Sequence, residues 1–178
     1  MIAAPGAALV RVDTSLLRAT RRTLGGTPAV PVARALSTFG EHALGWIALG
    51  AAGWLSGKRR TDWAAGVAGV VAAHGAGVVV KRVVRRVRPD IPDCPALVAT
   101  PSTLAFPSAP SCSTAAAAVG FGPVLGHPLM VGVTGLMLVS RVLLGVHYPS
   151  DVLSGAALGA GVAAAARRLS GAAAGRKA

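Results

Sequence analysis

Charged residues are scarce in this sequence, at 13% of 178 residues, and aromatic residues are scarcer still at 4%. An average soluble domain carries about a quarter charged residues. Hydrophobic residues reach 53%, but Ala, Gly and Val dominate the apolar content where a large soluble core would call for more Leu, Ile and Phe. Small residues let helices approach closely in lipid. The composition therefore points to a membrane protein before any other class.

Acidic side chains are also few. Six Asp and Glu stand against eighteen Lys and Arg, a formal net charge of +12, which suits a nucleic acid, an anionic membrane surface or an acidic substrate. Nucleic-acid binders spread their cations along a soluble face, often with aromatics for stacking. Here the cations cluster between long apolar runs, which argues for lipid head groups and against a nucleic-acid partner. The two cysteines, Cys94 and Cys112, have no metal-ligand spacing and no C-x-x-C motif. They read as two unrelated small residues, since a disulfide would need an oxidising compartment. The apolar stretch 1–10 precedes its arginines rather than following them, unlike a secretory signal.

What is present reads as an all-α, multi-pass helical bundle of about five spans behind an N-terminal amphipathic helix. Residues 13–24 carry Arg18, Arg21 and Arg22 beside Leu16, Leu17 and Leu24, a pattern suited to lying on a membrane surface. Gly25, Gly26, Pro28 and Pro31 break it, and a short segment leads to about Thr38. Spans are expected at 41–56 and 62–80, the first somewhat short for the ~20 residues that cross hydrocarbon. A proline-containing loop covers about 88–107. Helices follow at 108–121, 129–146 and 149–169. The organisation is thus a basic interfacial segment, 1–40, one membrane-embedded domain, 41–169, and a disordered basic tail, 170–178.

Ionisable residues near membrane depth are costly and gather at bundle interiors or mouths. Three groups do so here. In the first, Lys81, Arg85 and Arg88 share a face if the helix continues through them, so that several cations could converge on one anion; the plainer reading is a positive cap on a span. In the second, Ser108 and Ala109 open a helix whose free N–H groups and dipole favour phosphate, although such a serine is most often only a cap. In the third, His147 stands four residues before Asp151, so the carboxylate can hold one ring nitrogen while the other attacks an electrophile. Arg141 can clamp the same anion.

Together these residues resemble the type-2 phosphatidic acid phosphatase superfamily, the lipid phosphate phosphatases. Lys81 with Arg88-Pro89, and Ser140-Arg141 with His147 and Asp151, match its first and third motifs, over a resemblance covering about 62–169. The middle motif departs: Pro107-Ser108-Ala109-Pro110 stands where the family has Pro-Ser-Gly-His, so Pro110 occupies the position of the general acid.

The resemblance implies a phosphatase needing no cofactor and no metal. His147 attacks phosphorus, Asp151 orients it, and Lys81, Arg88, Arg141, Ser108 and the amides near Ala109 hold the equatorial oxygens. The implied substrate is a lipid-linked phosphate monoester or pyrophosphate, of the polyprenyl phosphate (including phosphoribosyl-decaprenyl) or phosphatidic acid type. The expected partners are that phosphorylated lipid and the bilayer, in a bacterial inner membrane, with no particular oligomeric state implied. General acid catalysis is typically worth ~10²–10⁴ in rate, so Pro110 implies a slow enzyme, or an impaired relative that binds lipid phosphate or a membrane partner. A transporter or structural protein leaves the two matching motifs unexplained. Of the other histidines, His74 sits ~10 Å before Lys81 along its helix, too far to replace the missing acid. His42 and His127 fall near span ends, His127 on the side away from His147. Cys112 is a poor donor if buried.

Overall fold

The structure is a computed structural model that describes residues 5–175. These residues form seven α-helices: α1 Pro5–Leu24, α2 Ala29–Gly40, α3 Leu44–Leu55, α4 Arg60–Val84, α5 Ala109–Leu125, α6 His127–Leu143 and α7 Pro149–Gly175. The all-α expectation holds. The only pairing of extended backbone among the described residues is an isolated bridge between Val87 and Leu104. Helix α7 runs through Gly175, and residues 176–178 of the expected tail lie outside the described residues.

Among the described residues one helix is long and apolar enough to cross a membrane, α4, while α6 is apolar but shorter. Twenty-five residues give α4 about 37 Å at 1.5 Å per residue, which exceeds a ~30 Å hydrocarbon core.

The short segment leading to Thr38 is helix α2, since Pro28 and Pro31 fall at its N-cap and in its first turn, where a missing N–H breaks no helical bond. One expectation for the N-terminal third is corrected. The run 41–56 is not one helix. A short 3₁₀ turn, Glu41–Ala43, separates α2 from α3, and its residues His42 and Ala43 have φ of 51° and 62°. Two consecutive left-handed residues redirect the chain, so α2 and α3 cannot join into one rod.

Helix α5 is the centre of the fold, buried along most of its length from Ser111 to Gly122. Its neighbours touch it backbone to backbone. A Cβ on Gly120 would lie 2.7 Å from the Cα of Gly66 on α4, and one on Gly159 of α7 would collide with the Cys112 carbonyl oxygen. Small residues thus set the close approach of α4 and α7 to α5. Phe121 fills the remaining space between Trp63 and Trp46, at ring-centroid distances of 5.3 Å and 6.5 Å, and the Trp46 indole donates to Thr114 Oγ1 at 3.0 Å. Cys94 and Cys112 are both buried and free.

Helix α1 docks against the loop that follows α4. Leu17 is fully buried with Ile91, Cys94, Val142 and Val152. Arg18 binds Asp93 through Nε at 3.0 Å and Nη2 at 2.8 Å, and Arg21 donates to the carbonyls of Leu143 and Pro95.

Candidate active site

The basic run after α4 is divided by one backbone feature. Arg85 adopts φ 53° and its N–H caps the helix on the Lys81 carbonyl at 3.1 Å. Lys81 therefore stays on the last helical turn, whereas Arg85 turns out to the exterior and Arg88 arrives from the loop. The expectation that all three share a helical face fails at Arg85; Lys81 and Arg88 do converge.

Lys81 Nζ donates to the Leu104 carbonyl at 3.0 Å. Arg88 donates through Nε to Ser102 O at 2.8 Å and through Nη1 to Val146 O at 2.7 Å. Burial pushes its guanidinium down to about 10, opposed by Asp151, so it remains a cation at neutral pH. Arg141 is 4% exposed. Its Nη1 donates to Ser37 Oγ on α2, and its buried Nε makes no hydrogen bond.

His147 lies in the turn between α6 and α7, 1% exposed, with Nε2 3.0 Å from Arg88 Nη1. A guanidinium can only donate, so Nε2 presents its lone pair and Nδ1 carries the proton. Burial holds the His147 pKa well below its ordinary value, and the cations Arg141, Arg88 and Lys81 push the same way. The ring is therefore neutral near pH 7.

Behind the ring stands Asp151, fully buried. Its Oδ2 accepts from the Tyr148 backbone N–H at 2.8 Å and lies 3.8 Å from His147 Nδ1. The hydrogen bond expected between these residues is thus a longer electrostatic contact, the carboxylate being oriented instead by the Tyr148 N–H on Oδ2 and by Arg86 Nη1 on Oδ1 at 2.8 Å.

Arg86 was not singled out by sequence. Besides Asp151 it binds Asp13 Oδ2 through Nη2 at 2.8 Å and Ser150 Oγ through Nη1 at 2.7 Å, and it stacks over Tyr148 at 4.3 Å. Asp13, 2% exposed, also accepts from the Ser150 N–H at 2.9 Å. One signal was available. Asp13 is the sole acid of α1 and falls four residues before the apolar Leu17, on the face that docks.

A cavity of about 360 Å³ gathers Lys81, Arg88, Arg141 and His147 with Ala109 and Pro110 of α5. Its wall continues through Ser37, Glu41, His42, His74 and Arg82. His74 and His42, set aside as too distant or peripheral, both face this cavity, whereas His127 does not line it. Ser108 does not line it either. It is fully buried, its N–H donates to the Asp151 carbonyl at 3.0 Å, and its Oγ accepts from Ser111 at 2.9 Å. Ser108 therefore ties α5 to α7 beneath the site. Cys112 is likewise outside the cavity, donating to the Ala73 carbonyl.

The PAP2 superfamily model matches residues 63–173, and the chain belongs to that superfamily, as the motif resemblance implied. It is 50% identical over 147 residues to the decaprenylphosphoryl-5-phosphoribose phosphatase of Mycolicibacterium smegmatis, covering 82% of each protein. It is 46% identical over 156 residues to the protein of that name from Mycobacterium tuberculosis H37Rv, covering 86% of this chain and 88% of the relative. Among solved structures, the transmembrane PAP2-type phosphatidylglycerolphosphate phosphatase of Bacillus subtilis superposes with a TM-score of 0.75 at 24% identity, over 92% of this chain and 86% of that one. Aquifex aeolicus LpxE does so with 0.71 at 18% identity, over 88% and 95%. At these identities the likeness concerns the fold.

Proposed function

We propose that the chain is an integral-membrane phosphatase that hydrolyses a lipid-linked phosphate monoester, with His147 as nucleophile. The observation that carries this reading is His147, with Nε2 3.0 Å from Arg88 Nη1, on the wall of a cavity that also holds Lys81, Arg88 and Arg141. A phosphate dianion entering the cavity draws Arg88 Nη1 from the ring to its own oxygens, and Nε2 is then freed to attack phosphorus. Three cations neutralise the charge on the equatorial oxygens, which is the larger part of phosphoryl-transfer catalysis, and this supports a mechanism that requires no metal. Asp151 stabilises the ring as it becomes positive. Water then hydrolyses the phosphohistidine.

The relatives' name supports a phosphorylated pentose carried on a polyprenyl phosphate as the substrate, ahead of a polyprenyl pyrophosphate or phosphatidic acid. In this reading 41–169 is the membrane-embedded domain of about five spans in a bacterial inner membrane. The N-terminal segment, 1–40, lies at the interface, and the exposed Leu9, Val12 and Leu16 on one face of α1 support that position. Pro110 favours one competing reading, a protein that binds lipid phosphate without turning it over.

The test is phosphate release by detergent-purified protein from a short-chain prenyl-phosphoryl-5-phosphoribose, a prenyl pyrophosphate and phosphatidic acid. Release from the first that disappears in His147→Ala is the expected result. Vanadate binding without release from any of the three would instead support the binding protein.

A further inference from the structure

The position of the family's general acid is filled by Pro110, which has no proton to give, yet the space beside it is not empty of donors. At the end of α2, Gly40 packs onto Pro110 so closely that a Cβ there would lie 3.2 Å from the Pro110 Cβ. Immediately beyond, His42 and Ala43 adopt the left-handed conformation, which is uncommon for residues other than glycine and clusters at functional sites. That turn delivers His42 to the cavity shared by Pro110, Arg141 and His147. Across from it, His74 lines the cavity from α4, with its ring 6.4 Å from that of His42. The His74 Nδ1 is buried and has no hydrogen-bond partner.

We propose that His42, backed by His74, is the general acid of this active site, in place of the histidine that Pro110 displaces. The proposal rests on the phosphatase reading above. In the first step a bond forms between His147 Nε2 and phosphorus while the bond from phosphorus to the ester oxygen breaks. Both electrons of that bond leave with the oxygen, which takes the proton of the His42 imidazolium and departs as the alcohol. Neutral His42 then accepts a proton from the water that attacks the phosphohistidine, the P–N electrons return to His147, and phosphate leaves. His42 ends protonated again, and the sum is ester plus water giving alcohol plus phosphate. His74, with its ring beside that of His42, holds it toward the ester oxygen, so it is a positioning residue.

General acid catalysis matters for a poor leaving group and little for a good one, which separates this role from a structural one. The experiment compares kcat for a short-chain prenyl-phosphoryl-5-phosphoribose, whose leaving group without a proton donor would be an alkoxide, with kcat for p-nitrophenyl phosphate, whose leaving group is a stable phenolate. It uses wild type, His42→Asn, His74→Gln, His147→Ala and the double variant His42→Asn/Pro110→His. Asparagine tolerates the left-handed backbone, and retained vanadate binding reports a folded site. The expected result is a loss of at least ~100-fold on the sugar phosphate for His42→Asn. The same variant should lose less than ~5-fold on the aryl phosphate, and Pro110→His should restore most of the sugar phosphate activity. His74→Gln should lose less than His42→Asn, again on the sugar phosphate alone. Equal losses on both substrates, or none on either, would overturn the assignment to His42 while His147-dependent turnover by wild type leaves the phosphatase reading standing. A wild type inactive on both substrates would remove the phosphatase reading and this proposal together.

Discussion

Arg86 grips Asp151, the carboxylate behind His147, through Nη1 at 2.8 Å, and its other terminal nitrogen grips Asp13 of α1 at the same distance. The two acids are almost fully buried and the guanidinium is 21% exposed. Removing Arg86 leaves two buried carboxylates without their cation, a change that costs about 3–5 kcal/mol for fully buried pairs; the partial exposure puts Arg86→Ala near the low end. Arg86→Lys should recover only part of the loss, because one ammonium cannot bridge two carboxylates as a planar fork does. Thermal unfolding in detergent, compared among wild type and the two variants, checks the ranking.

The glycines of α7 divide into two kinds with opposite expectations. A Cβ on Gly155 would press on the Ser108 carbonyl oxygen and one on Gly159 on that of Cys112, whereas one on Gly161 meets nothing within 4 Å. Gly155→Ala and Gly159→Ala should each destabilise by about 1–3 kcal/mol by forcing α5 and α7 apart. Gly161→Ala should stabilise by roughly 0.5–1 kcal/mol through helix propensity. Gly155→Ala should also lower turnover, because Ser108 N–H binds the Asp151 carbonyl. Melting temperatures of the three variants, with phosphate release for the first, are the measurements.

His147 ties stability to pH. Its folded pKa lies well below 6.5, through burial and then the neighbouring cations, so on acidification the unfolded chain takes up a proton that the folded chain refuses. Stability from this group is complete above about pH 6.5 and falls as pH drops below it, by about 1.4 kcal/mol per pH unit until the folded pKa is reached. Melting temperatures between pH 7.5 and 5.5 should fall less in His147→Gln than in wild type.

The outline of the candidate site was legible because it is carried by spacing: Lys81, Arg88, Arg141 and His147 line one cavity. Two of the misreadings come from single backbone positions. Helical continuation through Arg85 looked natural in a run of Val and Arg, but Arg85 turns left-handed, so Arg86 and Arg88 point to different partners. Likewise Gly40 and Gly45 flank the turn between α2 and α3, but the left-handed positions themselves are His42 and Ala43, so the placement of His42 in the cavity beside Pro110 was hidden. The burial of Ser108 depends on the contact of α5 with α7 across more than forty residues of sequence, which no local pattern encodes.

The central claim is that His147 carries the phosphoryl group, and a rapid-quench experiment tests it most directly. Enzyme is mixed with prenyl-phosphoryl-5-phosphoribose bearing ³²P on the ribose phosphate, stopped with base in the first turnover, and digested for peptide mapping. The account predicts base-stable, acid-labile label on the peptide containing His147, absent from His147→Ala. Turnover with no labelled protein, or label retained in His147→Ala, would contradict it.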